Sequence, residues 1–211
     1  MYEKTLPTGS KDLLAKLEAL SSPYLNGWVL AGGTGLALQI GHRKSEDFDF
    51  FRQDSFLISN IHNALRQLGT YETLQEDEKT LSVIISNIKL SFFCVSDPFV
   101  FETKAYRFFS LADIRDIALM KLIAISGRGS RKDFVDLYSI LRRGHLLQDF
   151  FNLIPKKYGE GRSNTHHILK SLTYFDDAEK EPIPEMLEPF EWNECKNFFI
   201  RQAHAIVLPA M

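Results

Sequence analysis

Residues Val29 to Phe51, VLAGGTGLALQIGHRKSEDFDFF, carry the densest pattern in the chain. Trp28–Ala31 reads as a short buried strand, Gly32-Gly33 as a turn, and Thr34–Ile40 as an apolar helix that needs cover on all sides. Asp47–Phe51 then reads as a second strand. Side chains alternate along a strand, so Asp47 and Asp49 share one face and Phe48 and Phe50 share the other. Two acids side by side repel each other and are costly to desolvate unless a cation sits between them. The cation suited to an oxygen pair is Mg²⁺, with Mn²⁺ as its substitute, and the natural third party is a nucleotide phosphate. Gly32 and Gly33 stand at the mouth of the helix, where backbone N–H groups and the helix dipole favour an anion. A phosphate cradle and a metal pair are thus expected within one short stretch.

Composition narrows the setting. A length of 211 residues admits one large domain or two small ones. Basic or polar residues interrupt every apolar run well before the length of a membrane span, so no membrane association is expected. The opening MYEKTLPTGSKDLLAKLEAL lacks the apolar core of a secretory signal, which points to the cytoplasm. Cys94 and Cys195 are far apart and lack ligand spacing, and are read as buried thiols in a reducing compartment. His42, His62, His145, His166, His167 and His204 show no metal-ligand spacing and are read as structural or surface residues. A formal charge of −2 gives no global attraction to nucleic acid. The local cluster Arg128, Arg131, Lys132, Arg142 and Arg143 is either a solvated surface or a binding patch.

Periodicity gives an α+β plan. Ser10–Leu20 is expected to be a helix with Ser10 as its N-cap, and Ser55–Leu68 another, closed by Gly69. Thr80–Ser86 and Ile88–Val95 read as a hairpin broken at Asn87. Phe108–Leu111 is taken as the approach to a helix over Ala112–Ser126, and Gly127–Ser130 as a turn. Helices follow at Lys132–Arg142, Leu146–Tyr158, His166–Tyr174 and Trp192–Val207, with Asp176–Pro189 as an acidic loop containing three prolines. The expected domains are an α/β part over residues 1–110 and a helical part over 111–211.

GGTGLALQIGHRKSEDFDFF resembles the signature of DNA polymerase β-like nucleotidyltransferases, a glycine turn followed by Asp-x-Asp. The spacing Arg43-x-Ser45-x-Asp47-x-Asp49 is similar to that of the AbiEii/AbiGii toxin family. A second match follows at Asp116-x4-Lys121, Arg128 and Arg131-Lys132-Asp133-x-x-Asp136-Leu137-Tyr138, so the resemblance covers residues 29–138. It implies a polymerase β-like core, a small mixed sheet with helices, followed by a helical region. It further implies a toxin of a bacterial toxin–antitoxin or abortive-infection system that moves a nucleoside monophosphate from an NTP to an acceptor, with RNA, tRNA in particular, expected first and a cognate antitoxin as partner. A small molecule or a protein is the alternative acceptor, and a nucleotide-binding module without turnover is the alternative from another class.

Roles follow for the matched residues. Asp47 and Asp49 are expected to hold the metal, and Gly32, Gly33 and Thr34 to meet the β,γ-phosphates. Lys121 and either Arg131 or Lys132 would neutralise triphosphate charge. Asp133 or Asp136 would orient a basic residue or help activate an acceptor hydroxyl; the resemblance favours Asp133. Asp136 has a structural alternative in an i,i+4 pair with Lys132. Ser45 either caps a local turn or touches a phosphate, and Arg43 either joins the nucleotide site or pairs with Glu46 or Asp47. One departure stands out. Many enzymes of this class take a third carboxylate from a later strand, whereas Ile88–Phe92 offers Lys89 and Ser91 on the relevant face, and Asp97 lies beyond the strand end.

Overall fold

Strand-forming residues of the N-terminal half pair into one mixed sheet. The computed structural model describes residues 1–208, and the chain divides into two units, Met1–Asp113 and Ile114–Met211. In the first unit the strands are β1 (Val29–Leu30), β2 (Phe48–Arg52), β3 (Tyr71–Asp77), β4 (Thr80–Ile85), β5 (Ile88–Cys94), β6 (Lys104–Tyr106) and β7 (Phe109–Leu111). Their spatial order is β3-β4-β5-β2-β1-β7-β6. β2 runs parallel to β5 and antiparallel to β1, while β1 runs parallel to β7. Helices α1 (Thr8–Ala19), α2 (Gly32–Ile40) and α3 (Ile58–Leu65) belong to the same unit.

The alternation on β2 turns out as its sequence dictates. Phe48 and Phe50 are buried and stack on one another, and Phe50 stacks on Phe92 of β5. Trp28 meets Phe56 and Phe92 edge-on in the same core. Burial of these large aromatics together with the surrounding leucines and isoleucines drives the closing of this layer. Ser86 and Asn87, both at positive φ, make the two-residue turn between β4 and β5.

Several local expectations are corrected. α1 starts at Thr8, and Ser10 is not its cap: its buried hydroxyl donates to the Glu46 carbonyl at 3.2 Å. α3 ends at Leu65 with Arg66 as its C-cap, so Gly69 does not close it. β3 was not anticipated because most of it is exposed and shows no alternation. It is tied to α3 by His62, whose Nδ1 meets the Tyr71 hydroxyl and whose Nε2 lies 3.0 Å from Glu76. Phe109–Leu111 is a strand, not a helix approach, since Ser110 and Leu111 pair with Val29 and Leu30. The turn before it holds Arg107 at positive φ, with Glu3 and Glu18 binding its guanidinium at 2.8 and 2.7 Å.

The second unit is helical: α4 (Ile114–Arg128), α5 (Arg131–Leu141), α6 (Leu147–Tyr158), α7 (Thr165–Ser171), α8 (Asp176–Glu179) and α9 (Trp192–Ala205). Phe134 of α5 is ringed by Phe175, Trp192 and Phe199. Lys157 of α6 reaches Asp116 of α4 at 2.8 Å, both buried. The acidic stretch expected to be a plain loop begins with the single turn of α8. No helix among the described residues is long and apolar enough to cross a membrane.

Candidate active site

The first turn of α2 and the segment Arg43–Asp49 interlock residue by residue. Gly32 stands at φ +63°, and a Cβ there would lie 2.6 Å from Asp49 Oδ2. The Asp49 carboxylate therefore rests against the helix start, in space that only glycine leaves open. A Cβ on Gly33 would fall 2.3 Å from Arg43 Nη2 and 3.2 Å from Ser45 Oγ. Thr34 lies next, with its hydroxyl against the Asp47 carbonyl and 2.8 Å from Ser45 Oγ. Gly32, Gly33, Thr34, Arg43, Ser45, Asp47 and Asp49 thus converge at one end of α2, and Arg43 is buried there. The Arg43 Nη1 donates to the Lys44 carbonyl at 2.8 Å. A guanidinium and free backbone N–H groups at a helix N-terminus together make an anion-binding corner.

The segment is also held from outside. Ser45 N donates to the Thr5 carbonyl at 3.0 Å, Ser10 Oγ to the Glu46 carbonyl, and Ala31 N to the Asp49 carbonyl at 3.0 Å. Gly41, left-handed at φ +72°, ends α2, and the Tyr2 ring fills the place its side chain would take.

Asp47 and Asp49 are half-buried, unlike the phenyl rings between and after them. The Asp49 carboxylate beside an anion corner, with Asp47 two residues before it, suits Mg²⁺, which takes one or two protein carboxylates and fills its remaining positions with water and phosphate oxygens. Among the described residues no set of three His, Cys, Asp or Glu side chains gathers to hold a metal. Register explains the missing third acid. Asp49 is paired with Ser91 on β5, and the buried Ser91 hydroxyl lies 3.1 Å from that of Ser82 on β4. Asp97 falls past the end of β5 at Cys94.

In the second unit Lys121 on α4 is buried, its ammonium 2.8 Å from Asp133 Oδ1 and 2.6 Å from Asp136 Oδ2 on α5. Arg128 closes on the same carboxylate, with Nε 2.7 Å from Asp133 Oδ2 and Nη2 3.0 Å from Oδ1. Burial alone would raise the Asp133 carboxyl; Lys121 and Arg128 outweigh it and hold it below the ordinary carboxylate range. Two cations and two anions make this cluster neutral, so each charge is fixed in direction without a net field. Asp136 faces Lys121, while Lys132 points to solvent.

Arg131 goes elsewhere. Its Nε donates to the Ala178 carbonyl at 2.7 Å, Nη2 lies 3.3 Å from Glu179, and its guanidinium sits 4.7 Å from the Trp192 ring centroid. Nothing local to Arg131 signals that use, because α8 lies at the start of a stretch read as a proline-containing loop. Arg128 belongs to the basic cluster and to the second motif match, but neither indicates its place in the Asp133 fork.

The fold defines the class. The nucleotidyltransferase toxin MenT4 of Mycobacterium tuberculosis H37Rv superposes with a TM-score of 0.54 at 13% identity, over 94% of this chain and 85% of that one. A Helicobacter pylori protein assigned as a nucleotidyltransferase gives 0.54 at 15% identity, over 93% and 92%. The architecture is therefore that of the nucleotidyltransferases. The sequence model of the AbiEii nucleotidyl transferase toxin family, a type IV toxin–antitoxin system, matches residues 14–205. The chain belongs to the AbiEii family. An uncharacterized protein of Aquifex aeolicus (strain VF5) is 36% identical over 204 residues, 94% of this chain and 96% of its own.

Proposed function

We propose that this AbiEii-family chain is a Mg²⁺-dependent toxin of the cytoplasm that transfers a nucleoside monophosphate from an NTP to a hydroxyl on RNA, with tRNA the first acceptor to test. The observation that carries this reading is the seating of the Asp49 carboxylate against Gly32 at the start of α2. It supports the reading by bringing one of the two acids to the helix start that would take phosphate.

Asp47 and Asp49 would hold the metal, which when bound would polarise the α-phosphorus and offset charge on the leaving pyrophosphate. The α2 N-terminus and Arg43 bind the β,γ-phosphates, with Gly33 leaving room for the guanidinium. Lys121, ion-paired with Asp133 and Asp136, would help to neutralise triphosphate charge. Asp133 serves to orient Lys121 and Arg128, which together engage both of its carboxylate oxygens. Of the two neighbouring basic residues, Lys132 is the one left to meet phosphate, and Arg131 braces α5 against residues 178–192. A cognate antitoxin encoded nearby completes the system.

Incubation with Mg²⁺, each labelled NTP and total RNA tests the reading. Label should move to RNA, release pyrophosphate, and disappear with Asp47→Ala. Label reaching only protein or a small molecule would reassign the acceptor. Binding without pyrophosphate release, unchanged in Asp47→Ala, would reject turnover altogether.

A further inference from the structure

We propose that Thr34 is a positioning residue, whose hydroxyl fixes the Asp47 backbone and through it the carboxylate that would hold the metal. The inference rests on the nucleotidyltransferase reading above and changes the task of one motif residue. The motif match assigns Thr34 to the β,γ-phosphates, a contact that would use its hydroxyl. It is 1% exposed, and its hydroxyl is already engaged within the protein.

The donor inventory settles the direction of that engagement. A carbonyl only accepts, so the single Thr34 proton goes to Asp47, and the Ser45 hydroxyl donates to Thr34 in turn. The relay Ser45 to Thr34 to Asp47 leaves Thr34 no proton for a phosphate. Asp47 stands just before β2, whose ladder with β5 begins at the pair Phe48 and Leu90. The Thr34 bond ties the Asp47 peptide itself to the rigid first turn of α2, the turn that also receives Asp49. One short helix turn thereby sets the spacing of both acids. Groups that orient metal ligands in this way commonly change metal affinity by about 10-fold or more when removed.

The test compares Thr34→Val, Thr34→Ser and Asp47→Ala in the full-length protein. Mn²⁺ affinity is read by electron paramagnetic resonance without nucleotide, NTP affinity is read in EDTA, and kcat and KM follow. Thr34→Val is expected to weaken Mn²⁺ binding ~10-fold and lower kcat, leaving metal-free NTP affinity unchanged. Thr34→Ser is expected to restore both. A Thr34→Val protein with wild-type Mn²⁺ affinity overturns the proposal, and so does one that loses metal-free NTP binding, which would make Thr34 a phosphate ligand. If Thr34→Val does not fold, Thr34→Ser decides, because loss of Mn²⁺ affinity there would show that the hydroxyl is not what matters. Asp47→Ala separates the two levels. If it keeps wild-type Mn²⁺ affinity, the metal reading itself fails; if only Asp47→Ala loses the ion, the positioning role alone fails.

Discussion

Two adjacent glycines at the start of α2 make room for different partners, and their substitution should have different effects. Gly32→Ala combines a positive φ, which costs an L-residue roughly 1–2 kcal/mol, with a clash against the Asp49 carboxylate. It should lower the melting temperature and weaken Mn²⁺ binding together. Gly33→Ala meets the far end of the long Arg43 side chain, which can swing away. It should leave Mn²⁺ affinity intact while weakening NTP binding in EDTA; calorimetric titration of both variants distinguishes the two patterns. The spacing of glycines and acids was legible in the sequence, because strand alternation and helix starts are local properties. What each glycine accommodates was not. The partners Asp49 and Arg43 arrive through a loop path, and the engaged hydroxyl of Thr34 depends on the same path.

Helices α4, α5 and α6 are clamped by buried charges whose removal in halves should cost more than removal in pairs. Breaking a buried ion pair on one side strands a charge and costs roughly 3–5 kcal/mol, whereas an apolar pair of similar volume is often neutral or better. Lys157→Met should therefore destabilise strongly, and Asp116→Leu with Lys157→Met should recover most of the loss in a urea titration. Lys121→Met should have a pH signature as well. Because the folded Asp133 carboxyl is lowered, the stability it contributes is complete above the ordinary carboxylate pKa of about 3.9 and is lost as pH falls through the lowered value. Removing Lys121 takes away part of that lowering, so acid unfolding followed by circular dichroism should move to higher pH. Such pairs leave only a faint trace in sequence. The Lys121 and Asp133 matches were visible as spacing, yet nothing local joins Asp116 to Lys157. Among the elements, those with an apolar period were legible; β3, β6, β7 and α8 were not, being exposed, very short or dependent on a distant strand.

Membership of the AbiEii family frames the behaviour of the intact chain. Expression in a bacterial host should arrest growth, and Asp49→Ala should relieve the arrest at equal protein abundance, checked by plating and immunoblot. A destabilised variant such as Lys157→Met should relieve it only as far as abundance falls. Both units contribute residues to the motif pattern, and the pattern in each was readable without coordinates because the family likeness spans their boundary. The supports of the acidic segment have a different status. Thr5 and Ser10 brace residues 45 and 46, and Tyr2 backs Gly41, yet the family match opens at residue 14. A recombinant fragment trimmed to the matched region would keep every signature amino acid and still lose the scaffolding beneath them. Inactivity of such a fragment would report a missing foundation and say nothing against the chemistry.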